Sequence, residues 1–388
     1  MGHIYYKKGD FDSAFEYFTR SLENSKEVKA FRWMSRPYFW IIDILLKKEN
    51  FNQAGNYLQQ FKQFNEKHES KDGYLLYQLS HILMLKSSSR LRERVEAENL
   101  LKKFVEEKPP IDITNIALIH LCELYFEEFQ LSSHMDILDD IYPLIDHLQS
   151  NARYQNSYSL LANVKLLQAK LALFQINMVE SRKLLTEAQN IADEHDLRAL
   201  AGEISREHDH LLEELKLWES FKKEQSSVAE RLKLASVDGV IERLQGKQVI
   251  EPLESKGQQP VSLLILTEGG VLLFSYPFTS EWKQDDDLLG SFLSAFLKFS
   301  DEFFSQGLDR AKFGEETILL QPIGSFSICY LFRGQTYFAK QKLEKFAETI
   351  QKDPKIWGTL EKFEKSSRVA ELRDLPKMEN LLTNIFQS

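Results

Sequence analysis

A small residue followed four positions later by a large apolar one recurs along the first half of this 388-residue chain. Ala14, Ala54, Ala97 and Ser181 mark the phase, with Phe18, Leu58, Leu101 and Leu185 four residues on. Ser21, Phe61, Phe104 and Ala188 follow at seven. Those spacings keep the residues on one face of a helix of period 3.6. The steps from Ala14 to Ala54 and on to Ala97 are 40 and 43 residues, longer than the roughly 34 of the standard helix-pair repeat. The polar run Ser87-Ser88-Ser89-Arg90 accounts for part of the longer step, and Pro109 stops the helix after Ala97.

The array continues less regularly. Ile116–Phe126 and Ile137–Leu148 make a fourth pair with no alignable small-residue pattern. Ala169-Lys170-Leu171-Ala172, followed by Asn177 and Ser181, makes a fifth. Ile204, Leu211, Leu215, Trp218 and Phe221 lie at helical spacing and are expected to cap the stack, since a repeat array must end on a helix with one polar face. Ser227-x-x-Glu230 is a capping-box pattern, and the apolar residues from Leu232 to Leu244 predict one or two helices. Glu251–Pro260, with its prolines and glycine, is the expected hinge.

Beyond the hinge the texture changes. Val261–Thr267 and Val271–Phe278 are apolar runs of strand length flanking the hairpin turn Glu268-Gly269-Gly270. Asp285-Asp286-Asp287 precedes a helical stripe of Leu289, Phe292, Phe296, Phe299 and Phe303. Thr317–Gln321 and Phe326–Phe332 read as strands, and Thr336 is placed to cap a helix carrying Leu343, Phe346 and Ile350. The expected order is ββαββα, an antiparallel sheet covered by helices. Asp353-Pro354 starts a further helix, and Met378, Leu381, Leu382, Ile385 and Phe386 form a last stripe expected to dock on the same chain.

Composition narrows the function classes. Acidic residues outnumber basic ones, 58 to 49, and no Lys/Arg block dominates, which argues against a nucleic-acid partner. The two cysteines, Cys122 and Cys329, fall in different expected domains and cannot form a disulfide scaffold or a Cys-based zinc site. The longest apolar run near a membrane span, Phe39–Leu46, is short and broken by Asp43. No signal peptide or lipidation motif stands at the start, so a cytoplasmic location is expected. There is no phosphate-binding Gly-x-x-x-x-Gly-Lys loop. His208 and His210 are two residues apart on a helix, and His120-x-Cys122 has no further ligands, so each histidine reads as packed rather than metal-bound. Gly324-Ser325-Phe326-Ser327 lacks the second glycine of a nucleophile elbow. No catalytic, cofactor-binding or metal-binding residue is predicted, and an enzyme is not expected.

The opening, Gly2-x-x-Tyr5 then Gly9-Asp10-Phe11-x-x-Ala14-x-x-x-Phe18, resembles a tetratricopeptide repeat, with Gly2 and Ala14 making room for Tyr5 and Phe18. Met1 stands where the first helix of such a unit is in mid-course, as expected of a chain entered partway through a repeat. The fifth pair resembles the long repeats of large bacterial and archaeal signalling regulators. The resemblance implies an all-α solenoid over 1–224, whose first helices line a groove for a partner peptide or helix. Carried onto this chain, its groove positions are His3, Tyr6, Lys7, Arg36, Phe39, Asp43, Lys47 and Lys170. Residues 225–260 form the helical connector and hinge. Residues 261–350, with their aromatic strands and the turn Arg333-Gly334-Gln335-Thr336, resemble the longin/roadblock group of α+β domains, and 351–388 are amphipathic helices. That second resemblance implies a platform for a small GTPase or for a second such module, including a homo- or heterodimer through this domain. The expected function is a non-catalytic interaction scaffold. The alternative is a regulatory subunit with a PAS- or profilin-like ligand sensor and a repeat relay. A polar-lined cavity in the sheet domain favours the sensor, and an interior filled with Phe and Leu favours the scaffold.

Overall fold

The computed structural model describes residues 1–7, 10–68, 70–132, 134–214, 217–218, 228–235, 237–246, 258–267, 271–279, 310–313, 315–366 and 368–387. Helices come first: α1 (Gly2–Lys7), α2 (Phe11–Glu27), α3 (Ser35–Lys47), α4 (Phe51–His68), α5 (Lys71–Lys86), α6 (Leu91–Glu106), α7 (Ile111–Ser132), α8 (Ile137–Tyr154) and α9 (Tyr158–Phe174). Then follow α10 (Met178–Glu194), α11 (Arg198–Glu213), α12 (Val228–Ala235) and α13 (Val237–Leu244). The strands are β1 (Gln259–Thr267), β2 (Leu272–Pro277), β3 (Arg310–Phe313), β4 (Glu316–Ile323) and β5 (Phe326–Arg333), and the chain closes with α14 (Thr336–Lys352), α15 (Pro354–Ser366) and α16 (Met378–Phe386). A helical region thus precedes an antiparallel sheet with helices. Two compact units form: Met1–Gln175 with Gln225–Glu251, and Ile176–Glu224 with Pro252–Ser388.

In the first unit each helix from α1 to α9 packs on its neighbour in sequence, and α3 also packs on α5. The small phase markers are the reason. Ala14, Ala54 and Ala97 are fully buried, and a Cβ at Gly2 would stand 3.0 Å from the Phe18 ring. Ser21 breaks the pattern: it is exposed, and Leu22 is buried in its place. Tyr5 is half-buried and stacks on Tyr17 at 5.2 Å. The turns repeat as well. Lys29, Glu49, Lys108 and Asn156 each follow a helix at φ between 51° and 56°. The amides of Ala30, Asn50 and Ser157 reach back to the carbonyls of Ser25, Leu45 and Ala152 at 2.9 Å. These are the six-residue closing bonds that satisfy the orphan carbonyls of a helix end.

In the second unit the sheet has the order β2-β1-β5-β4-β3, antiparallel throughout. The strand β3, unforeseen from the sequence, pairs Arg310 with Leu319 and Phe313 with Glu316. The expected helix over 285–303 and the turn 268–270 lie outside the described residues, as do 219–227 and most of the hinge. One face of the sheet carries Leu263, Ile265, Phe274, Phe326, Tyr330 and Phe332, packed with Phe346 of α14 and Phe386 of α16. Val261, Leu264, Leu266, Ile318, Leu320 and Leu331 are buried together in a second cluster. Asp353 accepts from the amides of Lys355 (2.9 Å) and Ile356 (3.4 Å) and so caps α15, as its place before Pro354 predicts. The stripe Met378, Leu382, Ile385 and Phe386 is buried, as expected for a docked last helix.

Two expectations are corrected here. Thr336 does not cap α14 from the preceding position; it is the helix's first residue, and the cap is remote. The Asp209 carboxylate accepts from the Thr336 amide at 3.2 Å and from its hydroxyl at 2.6 Å. Nor does α11 end a stack with a free polar face: it packs on α10, α14 and β3 of its own unit. Leu215 and Phe221 of that expected cap lie outside the described residues.

Candidate functional site

The first helices of successive pairs bring their polar residues to one place. Tyr6 comes from α1, Asp43 and Lys47 from the last two turns of α3, Lys86 from the end of α5, and His120 and Glu123 from the middle of α7. Gln245, just past α13, completes the cluster. The Tyr6 hydroxyl shares its proton between Asp43 Oδ2 (2.5 Å) and the Gln245 carbonyl (2.9 Å). Lys47 donates to Asp43 at 2.5 Å and to the Tyr6 oxygen, with its ammonium 4.4 Å from the centre of the Tyr6 ring. Lys86 pairs with Glu123. The Gln245 amide donates to Glu123 and lies 3.4 Å from His120 Nδ1.

Burial sets the electrostatics. It raises the Asp43 carboxyl, but the Lys47 charge, the His120 ring where acid protonates it, and the hydrogen bonds from Lys47 and Tyr6 outweigh it, leaving its pKa below the ordinary carboxylate value. The Tyr6 phenol is pushed well up, first by burial and then by the Asp43 charge, so it stays a neutral donor. His120 is lowered to about 4, chiefly by burial and also by the Lys86 charge, against the pull of Glu123 and Asp43. It is neutral at pH 7, leaving two lysines matched to two carboxylates.

The returning segment α12–α13 sits on the same first-helix face, against α7 and α9. Val237, Val240 and Ile241 are buried and Leu244 half-buried, an i, i+3, i+4, i+7 stripe, while Glu242 is exposed. Fully burying a Val or Ile side chain stabilises by about 1.5–3 kcal/mol. Arg231 of α12 lies over the Phe174 ring at 5.1 Å, beside the C-terminus of α9. The segment ends at Gly246, whose φ is +69° and where a Cβ would stand 2.9 Å from Tyr6 Cε1. Only glycine combines that backbone with so close an approach.

Of the groove positions carried over from the repeat, Tyr6, Asp43 and Lys47 are thus joined in one cluster. Arg36 is exposed and pairs with Asp112 at 2.7 Å. Phe39 is buried in the core, and Lys170 is buried on α9. His3 is exposed and meets the Phe18 and Trp40 rings. Lys7 lies in α1, with its side chain outside the described residues. Sequence reasoning missed Lys86, Glu123 and Gln245 and set His120 aside as a packed residue. The available signal was His120-x-x-Glu123, two polar residues on one face of an otherwise apolar helix. A pocket of about 270 Å3 opens beside the cluster, lined by Asp43, Lys47, Leu83, Lys86 and His120 among others.

The sheet unit has its own buried polar cluster. Arg310, fully buried, donates to Asp209 Oδ1 and to the Ser205 hydroxyl, both at 3.2 Å. Asp209 in turn holds the start of α14. Lys312 pairs with Glu213, and Lys340 with Asp193 at 2.8 Å. These contacts fasten α10 and α11 to β3 and α14. At the opposite edge, Ala370 donates to the Leu273 carbonyl at 2.7 Å.

Among the described residues no three His, Cys, Asp or Glu side chains are grouped to hold a metal. No described helix is long and apolar enough to cross a membrane. Both thiols are buried and raised by burial, Cys122 to about 12. No family model matches the chain, and no curated protein is significantly similar to it.

Proposed function

We propose that the chain is a non-catalytic adaptor. Its helix pairs form a tetratricopeptide-like groove for a partner helix, and its sheet domain, longin/roadblock-like, engages a small GTPase or a second such module. What supports the groove is one observation: the first-helix face of α7 and α9 holds a helix, Val237–Leu244, by an apolar stripe and by hydrogen bonds at its end. The cluster there recognises donors and acceptors of a chain segment; it offers a neutral histidine, paired lysines and no activated nucleophile. The sheet interior also favours a scaffold over a ligand sensor, because Phe274, Phe326, Tyr330, Phe332 and Phe346 fill it. The GTPase half carries over from the resemblance. Pairing at either sheet edge would displace α11 or the Ala370 contact, so a partner is expected on a helix face. The test is retention of a panel of small GTPases on the immobilised full chain in both nucleotide states. State-dependent retention is expected, and recovery of none retires the GTPase half.

A further inference from the structure

We propose that the α7–α9 face, with the polar cluster at its end, is the receptor for an amphipathic helix of a second protein, and that Val237–Gly246 is the chain's own stand-in for that ligand. This rests on the adaptor reading and specifies its partner. The stand-in defines the chemistry: apolar residues at the spacing of Val237, Val240, Ile241 and Leu244, then an amide side chain for Glu123 and His120, then a glycine under Tyr6.

Three features make the stand-in exchangeable. Helix α13 is eight residues long, far below the ~12–15 at which an isolated helix holds itself together in water, so its helicity depends on docking. Within the polar cluster its departure leaves both carboxylates paired, because Asp43 keeps Lys47 and Tyr6 while Glu123 keeps Lys86. The 270 Å3 pocket beside His120 and Lys86 gives an incoming amide a way to the cluster.

The competitor must be more than a copy. A tethered segment acts at an effective concentration in the millimolar range, so an identical segment from a second chain loses to it at ordinary protein concentrations. The partner therefore presents a longer helix with the same stripe, covering as one helix the α7–α9 surface that α12 and α13 share.

The experiment titrates a fluorescent peptide of residues 237–246 into the full chain and into the V240D/I241D chain. The unmodified chain should bind the peptide poorly, V240D/I241D about 10²-fold more tightly, and a peptide bearing the same two aspartates not at all. A V240D/I241D chain of unchanged helix content that ignores the peptide overturns the proposal. If that variant loses helix content, Gly246→Val replaces it: a Cβ there would stand 2.9 Å from Tyr6 Cε1 at a φ of +69° that a β-branched residue resists, and the same gain in peptide affinity is required. A concentration-dependent dimer of the unmodified chain that V240D/I241D abolishes also overturns it, naming a second copy as the occupant. Peptide binding with no protein partner retained from any source means a self-docking segment only and overturns the proposal together with the adaptor reading, whereas a V240D/I241D chain that ignores the peptide overturns the proposal alone.

Discussion

The two buried polar clusters, one in each unit, use the same chemistry for different ends. In the sheet unit, Arg310 is sealed and its partner Asp209 also caps α14, so each group depends on the other. In the helical unit each carboxylate already has a lysine, and the hydroxyl and amide of Tyr6 and Gln245 are added on top. Removing a member of the first leaves a buried charge poorly matched; removing the segment from the second leaves paired charges beside an open pocket. A cluster that cannot lose a member holds a fold together, whereas one that can is suited to exchanging ligands.

That contrast breaks if the costs fall the wrong way. The largest effect is expected from Asp209→Ala, which takes the carboxylate from a fully buried guanidinium and the cap from α14. It should cost about 3–5 kcal/mol in denaturant unfolding. Asp209→Asn, which keeps the acceptor, should recover part of that loss.

Next comes pH. His120 is neutral when folded, with its pKa lowered to about 4, and titrates near 6.5 when unfolded. Between those values the unfolded chain binds the extra proton, so stability is complete above about pH 6.5 and falls as pH drops towards 4. The loss attributable to His120 is roughly 3 kcal/mol, and His120→Gln should flatten that part of the stability–pH curve.

Tyr6→Phe removes a donor to a buried carboxylate and should cost about 2 kcal/mol. It should also loosen residues 237–246, while Gln341→Ala, which deletes a hydrogen bond to Tyr337 at 2.9 Å in the other unit, leaves that segment untouched. The smallest effect is a gain. Lys29 is exposed at φ 54°, and Lys29→Gly should raise stability by up to ~1 kcal/mol, read as a higher Tm.

Legibility followed distance along the chain. The helix pairs were readable because Ala14, Ala54 and Ala97 and their apolar followers interact within a few turns. The strands β1, β2, β4 and β5 were readable as apolar runs of the right length. The strand β3 was not: Arg310-Ala311-Lys312-Phe313 is short and half charged, and it becomes a strand by pairing with β4. The α14 cap lies 127 residues from the helix it serves, beyond any local pattern. The site divides the same way. Tyr6, Asp43 and Lys47 were reached through repeat positions, whereas Gln245 joins them from 239 residues beyond Tyr6. A connector read as one or two helices carries no mark, in its own residues, of the face on which it folds back.

Hydrogen exchange on the unmodified full chain addresses most directly whether the first-helix face holds a helix. The amides of Val237–Leu244 should be protected, and Ile241→Asp should release them while α7 and α9 keep their protection. Exchange of those amides at unstructured rates in the unmodified chain would mean that the face stands empty and that the groove has no helix fitted to it.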